Sequence, residues 1–315
     1  MPRAGGLPTH SSRDGAPRDT LLAARLDAAP APRSLLRSVL SAPGRLVAPF
    51  LAPFASTALA QSRRTRAAWH DLRALLLEEC LQSVQAAWPE LRPVPRDGNL
   101  VTPFASLDDT LNGRVATLKG GPIAHAVTAE MWSDSGGFGA MRLDAFADVS
   151  NAVPHLMLHL NVLPGTILFF FDLVPRVDLK MNDAYLTRNY LLPAPGCARA
   201  LSDLVASCLN DSSLTPYISR DGVVRTFMAS PSALLFTVPA DAKGVQRIRS
   251  IAQEMIAAWI ALAKAPLGPR VDAATLRTRD AVTRRFVYRD PDTANMRLVL
   301  GRETTDKLCQ LLAGM

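Results

Sequence analysis

The densest set of side chains able to hold or pass a proton lies in one short segment, VPHLMLHLNV, residues 153–162. Read as a strand with a period of two, Leu156, Leu158, Leu160 and Val162 point one way. His155, Met157, His159 and Asn161 point the other. The first set is a core face. The second joins two imidazoles, an amide and a thioether in one stripe, which suits a pocket for a large, partly polar ligand. A solvated sheet face gives the same pattern, and spacing alone does not separate the two. Imidazole titrates near neutrality, so either histidine could act in proton transfer. Two histidines four residues apart also fit zinc, but no third ligand lies nearby.

Other routes to chemistry are absent. The chain has no GxGxxG, GxxxxGK[ST] or GxSxG motif. Its cysteines (Cys80, Cys197, Cys208, Cys309) are scattered without a CxxC, against a metal or iron–sulfur site and without implying disulfides. Redox chemistry would have to come from the substrate or from an external protein donor.

The elements that must position the histidine strand follow from hydrophobic period. From Ala67, Trp69, Leu72, Leu75, Leu76, Leu77, Leu81, Val84 and Trp88 recur at helical spacing until Pro89. Residues 114–119, 123–132, 140–148, 154–162 and 166–172 read as strands with short Gly, Ser, Asn or Pro breaks, and 233–238 as a further strand. Breaks this short leave no room for helical crossovers, so consecutive strands run antiparallel, as a meander. The strand at 167–172 is apolar on both sides until Asp172, which predicts a central strand packed on both faces. Helices are expected at 183–190, 198–210, 245–263, 273–288 and 303–312. Strands first and helices later predict an α+β fold, with helices covering an antiparallel sheet.

The formal net charge of +7 is carried entirely by residues 1–66, which hold ten arginines against three aspartates. The remainder is neutral, so a nucleic-acid-binding body is not supported. Residues 1–66, rich in Arg, Ala, Ser and Pro, read as a plastid transit peptide or disordered leader. Leu46–Ala60 is an apolar run ending in Ala58-Leu59-Ala60, which keeps lumenal targeting as a minor alternative to the stroma. Residues 67–315 are expected to form a single domain.

Three ordered segments carry a resemblance. The first is Phe171-Asp172-Leu173-Val174-Pro175-Arg176-Val177-Asp178-Leu179, followed by Asn182-Asp183-Ala184-Tyr185-Leu186 and Tyr190. The second runs from Pro216-Tyr217-Ile218-Ser219 through Val224-Arg225-Thr226-Phe227 and Ser230-Pro231 to Leu234. The third comprises Arg279-Asp280, Arg284-Arg285 and Asp290, through Arg297 to Gly301. From about Val115 to the C-terminus the chain resembles red chlorophyll catabolite reductases, a family grouped with the ferredoxin-dependent bilin reductases. The resemblance implies an α/β/α sandwich with a central antiparallel sheet covered by helices on both faces. It implies no bound flavin, nicotinamide or metal, with electrons from reduced ferredoxin and red chlorophyll catabolite, a linear tetrapyrrole, as substrate in the chloroplast. A non-catalytic tetrapyrrole-binding protein, or a reductase of another bilin, would use the same fold.

The resemblance also places two carboxylates at the site. One falls at Asp290, with Asp292 as its alternate; the other, a Glu on the family's sheet, falls at His159. His159 and Asp290 are thus the expected catalytic pair, with His155, Met157, Asn161 and Asp292 as substrate contacts. Ferredoxin is acidic, so Arg176, Lys180 and Arg188 are candidates for a basic docking rim. A homodimer and contact with other chlorophyll-catabolic enzymes complete the partner expectations.

Overall fold

The apolar spacing that begins near Trp69 folds as a helix. The computed structural model describes residues 52–227, 230–265 and 271–315. Helix α1 (Ala52–Ala74) widens into a π-helical turn at Leu75–Cys80 and continues as α2 (Leu81–Ala87). The helix therefore begins within the segment read as leader. Thr65 is already buried in it, and the Arg66 guanidinium donates to the Asp134 carbonyl at 3.1 Å. Residues 1–51, most of that leader, lie outside the described residues. Pro53–Met315 forms one compact unit.

Among the described residues the sheet has nine strands: β1 (Arg92–Pro93), β2 (Thr102–Ala105), β3 (Leu111–Gly120), β4 (Ile123–Ser133), β5 (Gly139–Ala147), β6 (His155–Leu163), β7 (Thr166–Val174), β8 (Thr215–Pro216) and β9 (Leu234–Pro239). Their order is β1-β3-β4-β5-β6-β7-β9-β8, with β2 also on β3, and all pairs are antiparallel. The meander β3–β7 thus runs as its short breaks require. Between β6 and β7 the break is Pro164-Gly165, with Gly165 at φ 77° supplying the left-handed residue the tight turn needs.

After the meander come α3 (Asp183–Leu186) with a π-helical turn at Thr187–Leu191, α4 (Leu201–Leu209), α5 (Gly222–Phe227), α6 (Ala242–Lys264), α7 (Ala273–Arg285) with a 3-10 turn at Phe286–Tyr288, α8 (Pro291–Leu300) and α9 (Arg302–Ala313). Helix α6 buries Ile248, Ile251, Met255, Trp259 and Leu262 together with Leu72, Leu75 and Leu76 against one sheet face. The Trp259 indole donates to the Pro154 carbonyl at 2.9 Å, fixing α6 over the start of β6. Leu156, Leu158, Leu160 and Val162 are on that face and are fully buried. On the opposite face, Leu308, Leu311 and Leu312 of α9 pack with Val115 and Val127. Helices on both faces of an antiparallel sheet make this an α/β/α sandwich. In β7, Ile167, Phe169, Phe171 and Leu173 fill the first face while Phe170 is buried on the second, as expected of a central strand.

Helices α5 and α8 and strands β1, β2 and β8 had no counterpart in the sequence reading. Helix α5 buries no residue and α8 buries only Thr293 and Leu300, so neither carries an apolar stripe. The other three are short edge strands.

Candidate functional site

Strand register assembles the site. Antiparallel pairing places Arg142 opposite His159 and Asp144 opposite Met157, while β7 places Phe170 opposite His159 and Asp172 opposite Met157. Directly paired residues share a face. One row therefore reads Asp144, Met157, Asp172 and the next reads Arg142, His159, Phe170, all on the second face of the sheet. Two carboxylates thus flank the histidine strand.

Asp144 is fully buried, and both its oxygens are taken. Oδ1 lies 2.7 Å from His159 Nε2, and Oδ2 accepts from Arg142 Nε at 2.8 Å. Burial by itself would push this carboxyl up; Arg142 and His159 outweigh it and hold it below the usual carboxylate range. An ionised Asp144 makes Nε2 the donor, and Nδ1 accepts no hydrogen bond from the described residues. The His159 side chain is 26% exposed, so the ring reaches the surface while its partner does not. The Phe170 edge packs beside it, with ring centroids 5.3 Å apart.

Asp172 is the opposite case. It is fully buried; its Oδ1 accepts from the Ser230 and Ser232 hydroxyls, and Oδ2 has no partner. Burial pushes it up to about 6, with the two serine hydroxyls resisting. One carboxyl on this face is held ionised, and another can carry a proton close to neutrality.

His155 is locked. Its Nδ1 accepts from the Ala147 N–H at 3.0 Å, so Nε2 carries the proton and donates to Asp280 Oδ1 at 2.9 Å. The ring has no exposed surface, and burial holds it down at about 4, so it is neutral and has no nitrogen left for a guest. Arg176 grips the same Asp280 with two bonds, 2.8 and 2.7 Å. Arg176 is itself completely buried, which removes it from any docking rim. Lys180 is exposed and Arg188 half-buried. Met157 packs with Phe146, Phe170 and Val174 in a small apolar cluster against which Phe227 and Leu235 lie. This part of the face is filled, and the face opens toward His159 and Asn161, which is half-buried.

Asp290 caps α8. Its Oδ1 accepts the Asp292 N–H at 3.0 Å, and Pro291 occupies the first helical turn, where its missing N–H costs nothing. Asp292 is exposed on the same turn. Desolvation and then Asp290 raise its pKa, while a hydrogen bond with Asn295 and, last, the charge of His159 oppose the rise.

Among the described residues, no cluster of three His, Cys, Asp or Glu has metal-binding geometry. A cavity of about 310 Å³ opens under α7 at the Ala147 end of the sheet rather than at His159, lined in part by Asp148, Arg277, Arg284 and Arg285. Sequence reading missed Arg142, Asp144 and Arg284 as site residues. The signal for the first two was partial: β5 alternates, so Arg142 and Asp144 share a face, and its antiparallel register with β6 makes that the His159 face.

The carboxylate-lined sheet face thus lies beneath the C-terminal helices of an α/β/α sandwich. Tomato phytochromobilin synthase, solved in complex with biliverdin, shares this fold with a TM-score of 0.61 at 16% identity, over 76% of this chain and 81% of that one. The family model for red chlorophyll catabolite reductase matches residues 119–313. The chain belongs to the red chlorophyll catabolite reductase family, and it is of the tetrapyrrole-reductase type. No curated protein matches it in sequence.

Proposed function

We propose that this protein reduces red chlorophyll catabolite, an open-chain tetrapyrrole, to the primary fluorescent catabolite. Two electrons, delivered singly by reduced ferredoxin, and two protons saturate one methine bridge. The pigment lies over the open part of the second sheet face. The observation that carries the reading is the His159–Asp144 pair, a surface-reaching imidazole anchored on a buried anion. Asp144 fixes the orientation of the ring and the tautomer it presents. Asp292, within the field of His159, is the second proton-handling group, and Asp290 holds the helix start that positions it. Ferredoxin docks through exposed basic groups such as Lys180, and the protein works in the chloroplast stroma.

The test is an anaerobic assay with reduced ferredoxin and red chlorophyll catabolite. Growth of the blue fluorescence of the product is expected, slowed by salt if docking is electrostatic. Binding of the pigment without turnover would instead identify a sequestering protein, a reading favoured by the histidine at the family's glutamate position.

A further inference from the structure

Strand β5 presents Arg142 directly beside His159 on the second face, and the guanidinium there is only partly used. Its Nε and Nη2 both converge on Asp144 Oδ2, because His159 holds Oδ1. The Nη1 group has no hydrogen-bond partner among the described residues, yet it is not sealed from the surface, and the side chain is 24% exposed. Its neighbours do not compete for it. Ala129 is opposite on β4, and Ala140 is the next residue of β5 on this face. Neither alanine side chain can accept a hydrogen bond. Ala140 pairs in turn with Asn161, whose half-buried carboxamide makes no hydrogen bond among the described residues. Holding one buried carboxylate engages one edge of a guanidinium; the other edge, with its fixed fork of donors, is left for an acceptor from outside the chain.

We propose that Arg142 contacts the substrate: its free edge binds a terminal lactam oxygen of the tetrapyrrole and stabilises the negative charge that oxygen takes on when the pigment is reduced. The proposal rests on the tetrapyrrole reading. One electron passes from reduced ferredoxin to the conjugated pigment, leaving the iron–sulfur protein oxidised and the pigment a radical anion. A proton then adds at the methine carbon. The carbonyl oxygen at the end of the conjugated system carries part of the added charge. A guanidinium fixed there acts on the charged state more strongly than on the neutral one, which is what lowers a barrier. Spacing fits this assignment. Directly paired residues on neighbouring antiparallel strands have Cβ atoms about 5 Å apart. In a linear tetrapyrrole a terminal lactam oxygen lies across one ring nitrogen from the adjacent methine carbon, a separation of the same order. Arg142 on the oxygen therefore brings that methine over His159.

Infrared difference spectra of red chlorophyll catabolite bound to the full chain, taken without a reductant, test this. In wild type the lactam C=O band should fall below its position in the free pigment. Arg142→Gln should return the band toward that position. Its turnover with reduced ferredoxin should be about a hundredfold or more lower, the range for removing one donor to a developing oxyanion. Arg142→Lys keeps a cation beside Asp144 and should leave the band between the two; thermal melts establish that each variant is folded. A band that folded Arg142→Gln leaves unmoved overturns the assignment even if turnover falls, because the lost grip on Asp144 then accounts for the fall. Should the glutamine variant not fold, a wild-type band in Arg142→Lys overturns it instead. Failure of wild type to bind the pigment overturns the assignment and the tetrapyrrole reading together.

Discussion

His159 Nε2 lies 2.7 Å from Oδ1 of the fully buried Asp144, so a partly exposed imidazole is held by an anion that has no contact with water. A carboxylate at position 159 would meet that anion directly. Histidine at 159 and aspartate at 144 are therefore a matched pair.

His159→Glu is expected to place two carboxylates within contact, which must share a proton. The pair would then bind its proton more tightly folded than unfolded. Stability would be intact below the unfolded value near pH 4 and lost as pH rises through the raised folded value. The penalty should be on the order of 1–3 kcal/mol at pH 8. Melting curves of wild type and variant at pH 5 and pH 8 check this: the gap should widen at the higher pH.

Asp172 gives the same sign in the native protein. Its pKa rises from 3.8 to about 6 on folding. Its contribution is therefore full below pH 3.8 and is lost as pH rises through 6. Asp172→Asn keeps an acceptor for the serines and removes that loss. It should be more stable than wild type at pH 8 by about 1–3 kcal/mol and equal to it near pH 4. Urea denaturation at the two pH values measures the difference.

Asp280 joins His155 and Arg176 beneath α7. Removing it in Asp280→Ala leaves a buried guanidinium unpaired, and the expected cost is about 3–5 kcal/mol. The urea midpoint should fall at unchanged slope. His155 adds a pH signature: depressed from 6.5 to about 4, its contribution is full above pH 6.5 and lost as pH falls through 4. A His155→Gln variant should flatten stability across that acid window.

Asp290 and Asp292 are separable. Asp290→Ala deletes an N-cap and should cost about 0.5–2 kcal/mol. Asp292→Asn leaves the cap intact and should lower turnover in the ferredoxin assay with the melting temperature nearly unchanged. Equal turnover in Asp292→Asn and wild type would remove Asp292 from proton handling.

Much of the architecture was legible before any coordinates. Period-two runs separated by Gly120-Gly121 or Pro164-Gly165 allow little except a meander, and Leu156, Leu158, Leu160 and Val162 went to the core as their alternation required. Helix α8 was obscured because it packs by its ends, with little apolar stripe, although Asp290-Pro291 announced its start. The site was only half legible. His155 and His159 look identical along β6, yet one is sealed and the other reaches the surface.

What the sequence determined by itself was local: strand period, turn chemistry, the helical stripes and the stripe of polar groups on β6. Which of those groups are spent on structure was decided by tertiary packing. Asp280 is 125 positions from His155, and Arg176 is 104 from Asp280; Asp144 meets His159 only through the β5–β6 register. A side chain's protonation and freedom depend on what the fold brings within hydrogen-bond reach and how much water it excludes, and neither is written in the neighbours along the chain.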